Sequence, residues 1–185
     1  MATVTGLAQC RPPLIAILRG VRPDEAVEIG NALVDAGFCM LEVPLNSPDA
    51  LTSIERLAAT IGKDVLLGAG TVLSAGSVDD IASAGARFSV SPNTDASVIA
   101  RALKRGLEPM PGVMTPTEAL SASAAGARHL KIFPAASLGG GHIGALREVL
   151  PQDCRLWAVG GVDASNLGGW FEHGACGVGI GGSLY

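Results

Sequence analysis

The chain has 185 residues, 48% hydrophobic and 16% charged, the balance of a folded domain with a substantial core rather than of a disordered or coiled-coil segment. A net charge of −4 leaves no basic footprint of the kind nucleic acid requires. No apolar run reaches the ~18 residues of a membrane span, and the N-terminus M-A-T-V-T-G-L-A-Q-C-R-P-P lacks the basic-then-apolar order of a secretion signal.

In chain order the sequence predicts a first strand at Leu14–Leu18 and a helix over Pro23–Ala36. A strand at Cys39–Val43 precedes a helix over Pro48–Thr60, with Ser47 placed as its cap. Strands at Val65–Ala69, Arg87–Val90 and Leu107–Met110 are followed by helices over Ala75–Ala84, Asp95–Arg105 and Pro116–Ala125, the last capped by Thr115. Strands at His129–Phe133, Arg155–Val159 and Gly177–Ile180 enclose helices over His142–Leu150 and Ala164–His173. A glycine closes most helical stretches (Gly37, Gly62, Gly85, Gly106, Gly126, Gly174), as a left-handed C-terminal position prefers.

Strict alternation of short apolar strands with helices argues a parallel sheet. Eight strands favour closure into a single (β/α)₈ TIM barrel spanning 1–185. The sequence stops at Tyr185, just past the eighth strand, so the closing C-terminal helix is expected to be absent from this chain.

Four scattered cysteines (Cys10, Cys39, Cys154, Cys176) form no C-x-x-C pair and read as free thiols of a cytoplasmic protein. Three histidines (His129, His142, His173) show no metal-ligand spacing, so neither a metal nor another cofactor is expected.

In a barrel, chemistry belongs at the C-terminal ends of the strands. Among three lysines, Lys63 sits in a turn and Lys104 in the last turn of a helix, but Lys131 interrupts an apolar strand, H-L-K-I-F-P-A. A structural reading pairs it with a buried carboxylate or lets it snorkel at the strand end. A chemical reading makes it a nucleophile. Burial disfavours the ammonium, and bringing its pKa from ~10.4 to ~7 takes about 4–5 kcal/mol. The neutral amine can then form a Schiff base with a ketone.

Glu42, within M-L-E-V, is the second charge in a strand and a candidate acid/base. Glu108 reads as structural, at the N-terminal end of its strand. Arg19 ends the first strand, where it could hold a substrate anion or form a rim salt bridge. Gly160-Gly161 and Gly181-Gly182-Ser183 follow the last two strands, where barrels often bind phosphate on backbone N–H groups. A dinucleotide fingerprint fails, because G-A-G-T-V-L lacks a third glycine and no helix follows G-V-G-I-G-G.

Taken together, L-I-A-I-L-R-G, L-E-V-P-L-N-S-P, G-A-G-T-V-L, S-P-N, P-G-V-M-T-P-T-E, L-K-I-F-P-A and A-V-G-G-V resemble the class I 2-keto-3-deoxy-6-phosphosugar aldolases, from residue 14 to the end of the chain. Within that family E-V-P-L-N-S and S-P-N look like the galactonate-type members; the gluconate-type epimer specificity is the alternative. The resemblance implies that Lys131 attacks the C2 ketone and Glu42 serves as acid/base. Thr71 and Pro92 would line the pyruvate end, with Phe133 packing the site. Asn46 stands where gluconate-type members carry an arginine, and Arg19 would replace that charge. Gly160, Gly161, Gly181, Gly182 and Ser183 would hold the substrate's phosphate. A homotrimer acting on a phosphorylated 2-keto-3-deoxy sugar acid is implied as well. A phosphate-binding barrel isomerase and a phospho-sugar binding module are the competing readings; neither needs both Lys131 and Glu42.

Overall fold

The computed structural model describes residues 6–182 and residue 184. Its strands are β1 (Leu14–Ile17), β2 (Met40–Pro44), β3 (Leu66–Gly70), β4 (Phe88–Val90), β5 (Glu108–Met110), β6 (Gly112–Val113), β7 (His129–Ile132), β8 (Arg155–Val159) and β9 (Gly177–Ile180). The helices are α1 (Ala26–Asp35), α2 (Ala50–Thr60), α3 (Ala75–Ser83), α4 (Ala96–Lys104), α5 (Pro116–Ala124), α6 (Ala135–Leu138), α7 (Gly140–Arg147) and α8 (Leu167–Glu172). All strand pairs are parallel, in the order β5-β4-β3-β2-β1-β9-β8-β7-β6.

The two ends of that order are consecutive in the chain, separated only by Pro111. The fifth barrel strand is therefore one stretch, split because proline has no N–H to donate to a ladder. Its first half pairs with β4 and its second with β7. The Pro111 carbonyl still accepts from Lys131 N–H at 2.9 Å, which closes the ring. The expected eight-position TIM-like barrel is what forms. No helix follows β9 among the described residues.

Successive strand residues face opposite ways. Outward-facing Leu41, Val43, Leu67 and Ala69 pack against α1–α4, and Leu130, Ile132, Leu156 and Ala158 belong to the apolar layer beneath the later helices. Inward-facing Ile15, Met40, Leu66, Phe88, Met110 and Trp157 fill the interior. Glycines opposite the largest of them make that filling possible: a Cβ at Gly68 would come within 2.5 Å of the Phe88 ring, and one at Gly177 would overlap Trp157.

The N-terminal end of the barrel is sealed by a short 3₁₀ turn, Leu7–Gln9, whose Leu7 is buried. Leu7 N–H donates to Glu108 Oε1 (3.1 Å), Glu108 Oε2 lies 3.3 Å from His129 Nε2, and His129 Nδ1 accepts from Trp157 Nε1 (2.9 Å). Glu108 sits in this structural network, at the end of the barrel away from Lys131.

Helix starts agree with the sequence where a local motif sets them. Thr115 and Glu118 form a reciprocal capping box on α5, and Asp95 caps α4 by accepting from Ser97 and Val98 N–H. Ser47 is a correction. The helix begins later, at Ala50, and the buried Ser47 hydroxyl instead accepts from Gly20 N–H at 3.0 Å, tying the loop after β1 to the loop after β2. All four cysteines are free; Cys10 and Cys154 are buried, whereas Cys39 and Cys176 are half-buried just before their strands.

Candidate active site

Leu130 and Ile132 face the helices, so the alternation of β7 turns Lys131 into the barrel. The same alternation turns Glu42 inward from β2, between outward Leu41 and Val43. β1, β9 and β8 separate these strands on one side; β3, β4 and the split fifth strand separate them on the other. The two side chains therefore come from opposite walls, at 7% and 3% exposure. Among the described residues they are the only buried lysine and the only buried carboxylate.

One cavity of 310 Å³ at the C-terminal end of the barrel gathers Lys131, Glu42, Arg19, Thr71, Phe133, Gly160, Gly161, Gly181 and Gly182. Sequence reasoning placed each of these nine in the site. Pro92 does not line the cavity; it is exposed beyond β4, its carbonyl occupying space that a Cβ at Gly112 would need. Ser183 lies outside the described residues.

No hydrogen bond or ion pair joins Lys131 to Glu42, and Glu42 Oε2 is buried without a partner. Burial pushes the Glu42 carboxyl up to about 7, opposed first by the Lys131 charge and then by Arg19. Burial pushes the Lys131 amine down, with Glu42 acting against that shift and Arg19 adding to it. Both groups thus move toward their neutral forms. Lys131 Nζ lies 4.2 Å from the centroid of Phe133, whose ring forms one wall of its pocket.

The backbone around the cavity is shaped for close approach. Gly160 and Gly161 adopt φ of 95° and 75°; a Cβ at Gly160 would press to 3.2 Å from the Phe133 ring, and one at Gly161 would overlap Ala136. Thr71 holds φ 56°, a strained conformation for a β-branched residue, at the cavity wall. Gly70 carries a requirement the sequence did not disclose: a Cβ there would overlap Glu42 Oε1. The carboxylate occupies the place of the missing side chain. Asp163 also lines the cavity and escaped sequence reasoning, whereas Val162 and Gly179, which flank the glycine pairs at the same strand ends, line it without having been assigned a role. Among the described residues no group of three or more His, Cys, Asp or Glu could hold a metal ion.

A profile of the KDPG and KHG aldolase family matches residues 8–185. The chain belongs to that family. Among its relatives, the 2-dehydro-3-deoxy-6-phosphogalactonate aldolase of Escherichia coli (strain K12) is 47% identical over 177 residues, covering 96% of this chain and 86% of its own. A solved structure described as native KDPGal superposes with a TM-score of 0.93 at 47% identity, covering 96% of this chain and 86% of the other. The KDPG aldolase from Legionella pneumophila, solved with pyruvate captured at low pH as a covalent carbinolamine intermediate, superposes with a TM-score of 0.83 at 31% identity, covering 95% of this chain and 84% of its own. In this KDPG and KHG aldolase fold, a buried amine and a buried carboxylate share one cavity.

Proposed function

We propose that this chain is a class I aldolase, a lyase, that cleaves 2-dehydro-3-deoxy-6-phospho-D-galactonate to pyruvate and D-glyceraldehyde 3-phosphate. The observation that carries the reading is the convergence of Lys131 and Glu42, buried and unpaired, on one glycine-rimmed cavity. The neutral Lys131 amine adds to the C2 ketone, giving a carbinolamine that loses water to an iminium. Glu42, directly or through a water, takes the C4 hydroxyl proton as the C3–C4 bond breaks. Its electron pair passes into the iminium, leaving an enamine and releasing glyceraldehyde 3-phosphate. Protonation at C3 and hydrolysis of the resulting iminium release pyruvate and restore the amine. A carboxyl poised near 7 can both take and return a proton at neutral pH.

Thr71 and Phe133 border the pyruvate end, Arg19 supplies positive charge at the rim, and the N–H groups near Gly160, Gly161, Gly181 and Gly182 face the phosphate. The same reading takes the chain as one barrel domain working as a cytoplasmic homotrimer. Free thiols fit a reducing compartment, and light scattering tests the trimer.

Incubation with pyruvate, borohydride reduction and peptide mass spectrometry test the chemistry. A pyruvate-sized addition on the Lys131 peptide, absent from Lys131→Ala, is expected; no adduct in the folded protein overturns the Schiff-base reading. Comparing the two C4-epimeric phosphosugars assigns specificity, and faster cleavage of the gluconate epimer would overturn the galactonate assignment.

A further inference from the structure

The loop after β8 runs between two cavities. Gly161 borders the active site on one side and, on the other, a cavity of 330 Å³ that Asn166, Trp170 and His173 help to line. The Asn166 side chain makes three hydrogen bonds there. Its Nδ2 donates to the Gly161 carbonyl (2.9 Å), and its Oδ1 accepts from Asp163 N–H (3.1 Å) and from the Trp170 indole N–H (3.2 Å).

In a trans peptide the C=O and the following N–H point in opposite directions. Drawing the Gly161 carbonyl toward Asn166 therefore turns Val162 N–H the other way, and Val162 lines the active-site cavity. Among the described residues, the N–H groups of Gly161 and Val162 donate to no acceptor in the chain. The Asp163 carboxylate, at the same wall, is turned back on its own loop: Oδ1 accepts from Ser165 N–H (2.8 Å) and from the Ser165 hydroxyl (2.5 Å). Two donors are thus left unclaimed while the nearest loop carboxylate is engaged elsewhere.

We infer that Asn166 is a positioning residue for substrate recognition: by clamping the Gly161 carbonyl, it aims Val162 N–H at the 6-phosphate of the substrate, beside Gly161 N–H, whose own peptide is held by the Gly160 carbonyl accepting from Ala136 N–H (3.0 Å). The inference rests on the phosphate placement proposed above. Asn166 touches no reacting atom, so its effect belongs in KM for phosphorylated substrate and not in the chemical step.

The test compares cleavage of 2-dehydro-3-deoxygalactonate with and without its 6-phosphate by wild type, Asn166→Ala, Asn166→Asp and Trp170→Phe. Wild type should prefer the phosphorylated acid. Asn166→Ala should raise KM for it about tenfold while leaving kcat and the kinetics of the unphosphorylated acid within twofold. Asn166→Asp has the shape of the native side chain but no N–H to give Gly161, so it guards against misfolding of the alanine variant; it should lose the preference at least as fully. Trp170→Phe removes one hydrogen bond of Asn166 and leaves the one to Gly161, and should keep the preference. An unchanged preference in both Asn166 variants, or an equal loss on both substrates, overturns the assignment. No preference in wild type overturns the phosphate placement itself, a failure visible before any variant is made.

Discussion

Replacing Glu42 with Gln removes one titration while keeping the length and shape of the side chain. Burial raises the Glu42 carboxyl from 4.5 to about 7 despite the opposing charges of Lys131 and Arg19. A pKa higher in the folded chain than in the unfolded one means that folding favours the protonated form. The stability this provides is fully present below about pH 4.5 and is lost as pH rises through about 7. From 4.5 to 7 is about 2.5 units, which at about 1.36 kcal/mol per unit amounts to roughly 3 kcal/mol. The linkage relation assigns about 2 kcal/mol of it to the interval from about pH 5.5 to about pH 8.5. For a chain of this length each kcal/mol moves Tm by roughly 2–4 °C. Wild type should therefore lose about 4–8 °C relative to Glu42→Gln across that interval in thermal melts followed by circular dichroism. Lys131 contributes with the opposite sign: its lowered pKa gives stability present above 10.5 and lost as pH falls through its folded value. Both proteins keep Lys131, so to first order its contribution cancels in the difference. Melting curves that stay parallel with pH would refute the raised carboxyl, and with it the account of Glu42 as a base working near neutrality.

Lys131→Met should push the Glu42 midpoint above about 7, because the largest influence lowering it is gone; a carboxyl infrared titration should show the rise, and a fall would contradict the shared cavity. Gly70→Ala should displace the Glu42 carboxylate and lower kcat by about two orders of magnitude, a scale typical of losing a positioned proton-transfer group. On a Glu42→Gln background the same change should cost little more, and full additivity would argue against this seat. Thr115→Ala breaks the capping box of α5 and should cost about 1 kcal/mol, read in urea unfolding, without altering kcat.

The barrel was legible because its signals are local. Alternating apolar runs, glycines at helix ends and T-P-T-E before α5 each act within a few residues. Ser47 shows where such reasoning stops. A serine before a proline looks like a cap, but its hydroxyl serves Gly20, a partner that only the barrel brings near. Pro111 likewise divides a strand that apolar pattern alone would draw through it or end before it. In the site, Lys131 and Glu42 announce themselves because a charge in an apolar strand needs a reason. Gly70 and Asn166 do not. One acts through the volume it leaves empty, the other from a turn where asparagine is ordinary.

The distance the barrel keeps between its two buried charges is what makes them useful. Had Glu42 and Lys131 formed a close ion pair, mutual attraction would have drawn the carboxyl down and the amine up, each toward its charged form. The amine would then hold the proton it must lose to attack a ketone, and the carboxylate would be too weak a base to matter near neutrality. Projection from opposite walls prevents this, and the missing side chain at Gly70 gives the Glu42 carboxylate a seat on its own side of the cavity. Burial then outweighs attraction at both groups, as the direction of each shift records. A barrel built for stability alone would fill that space with apolar side chains or let the pair meet. Leaving a carboxyl oxygen buried without a partner is the structural cost of holding an acid/base and a nucleophile ready in one cavity.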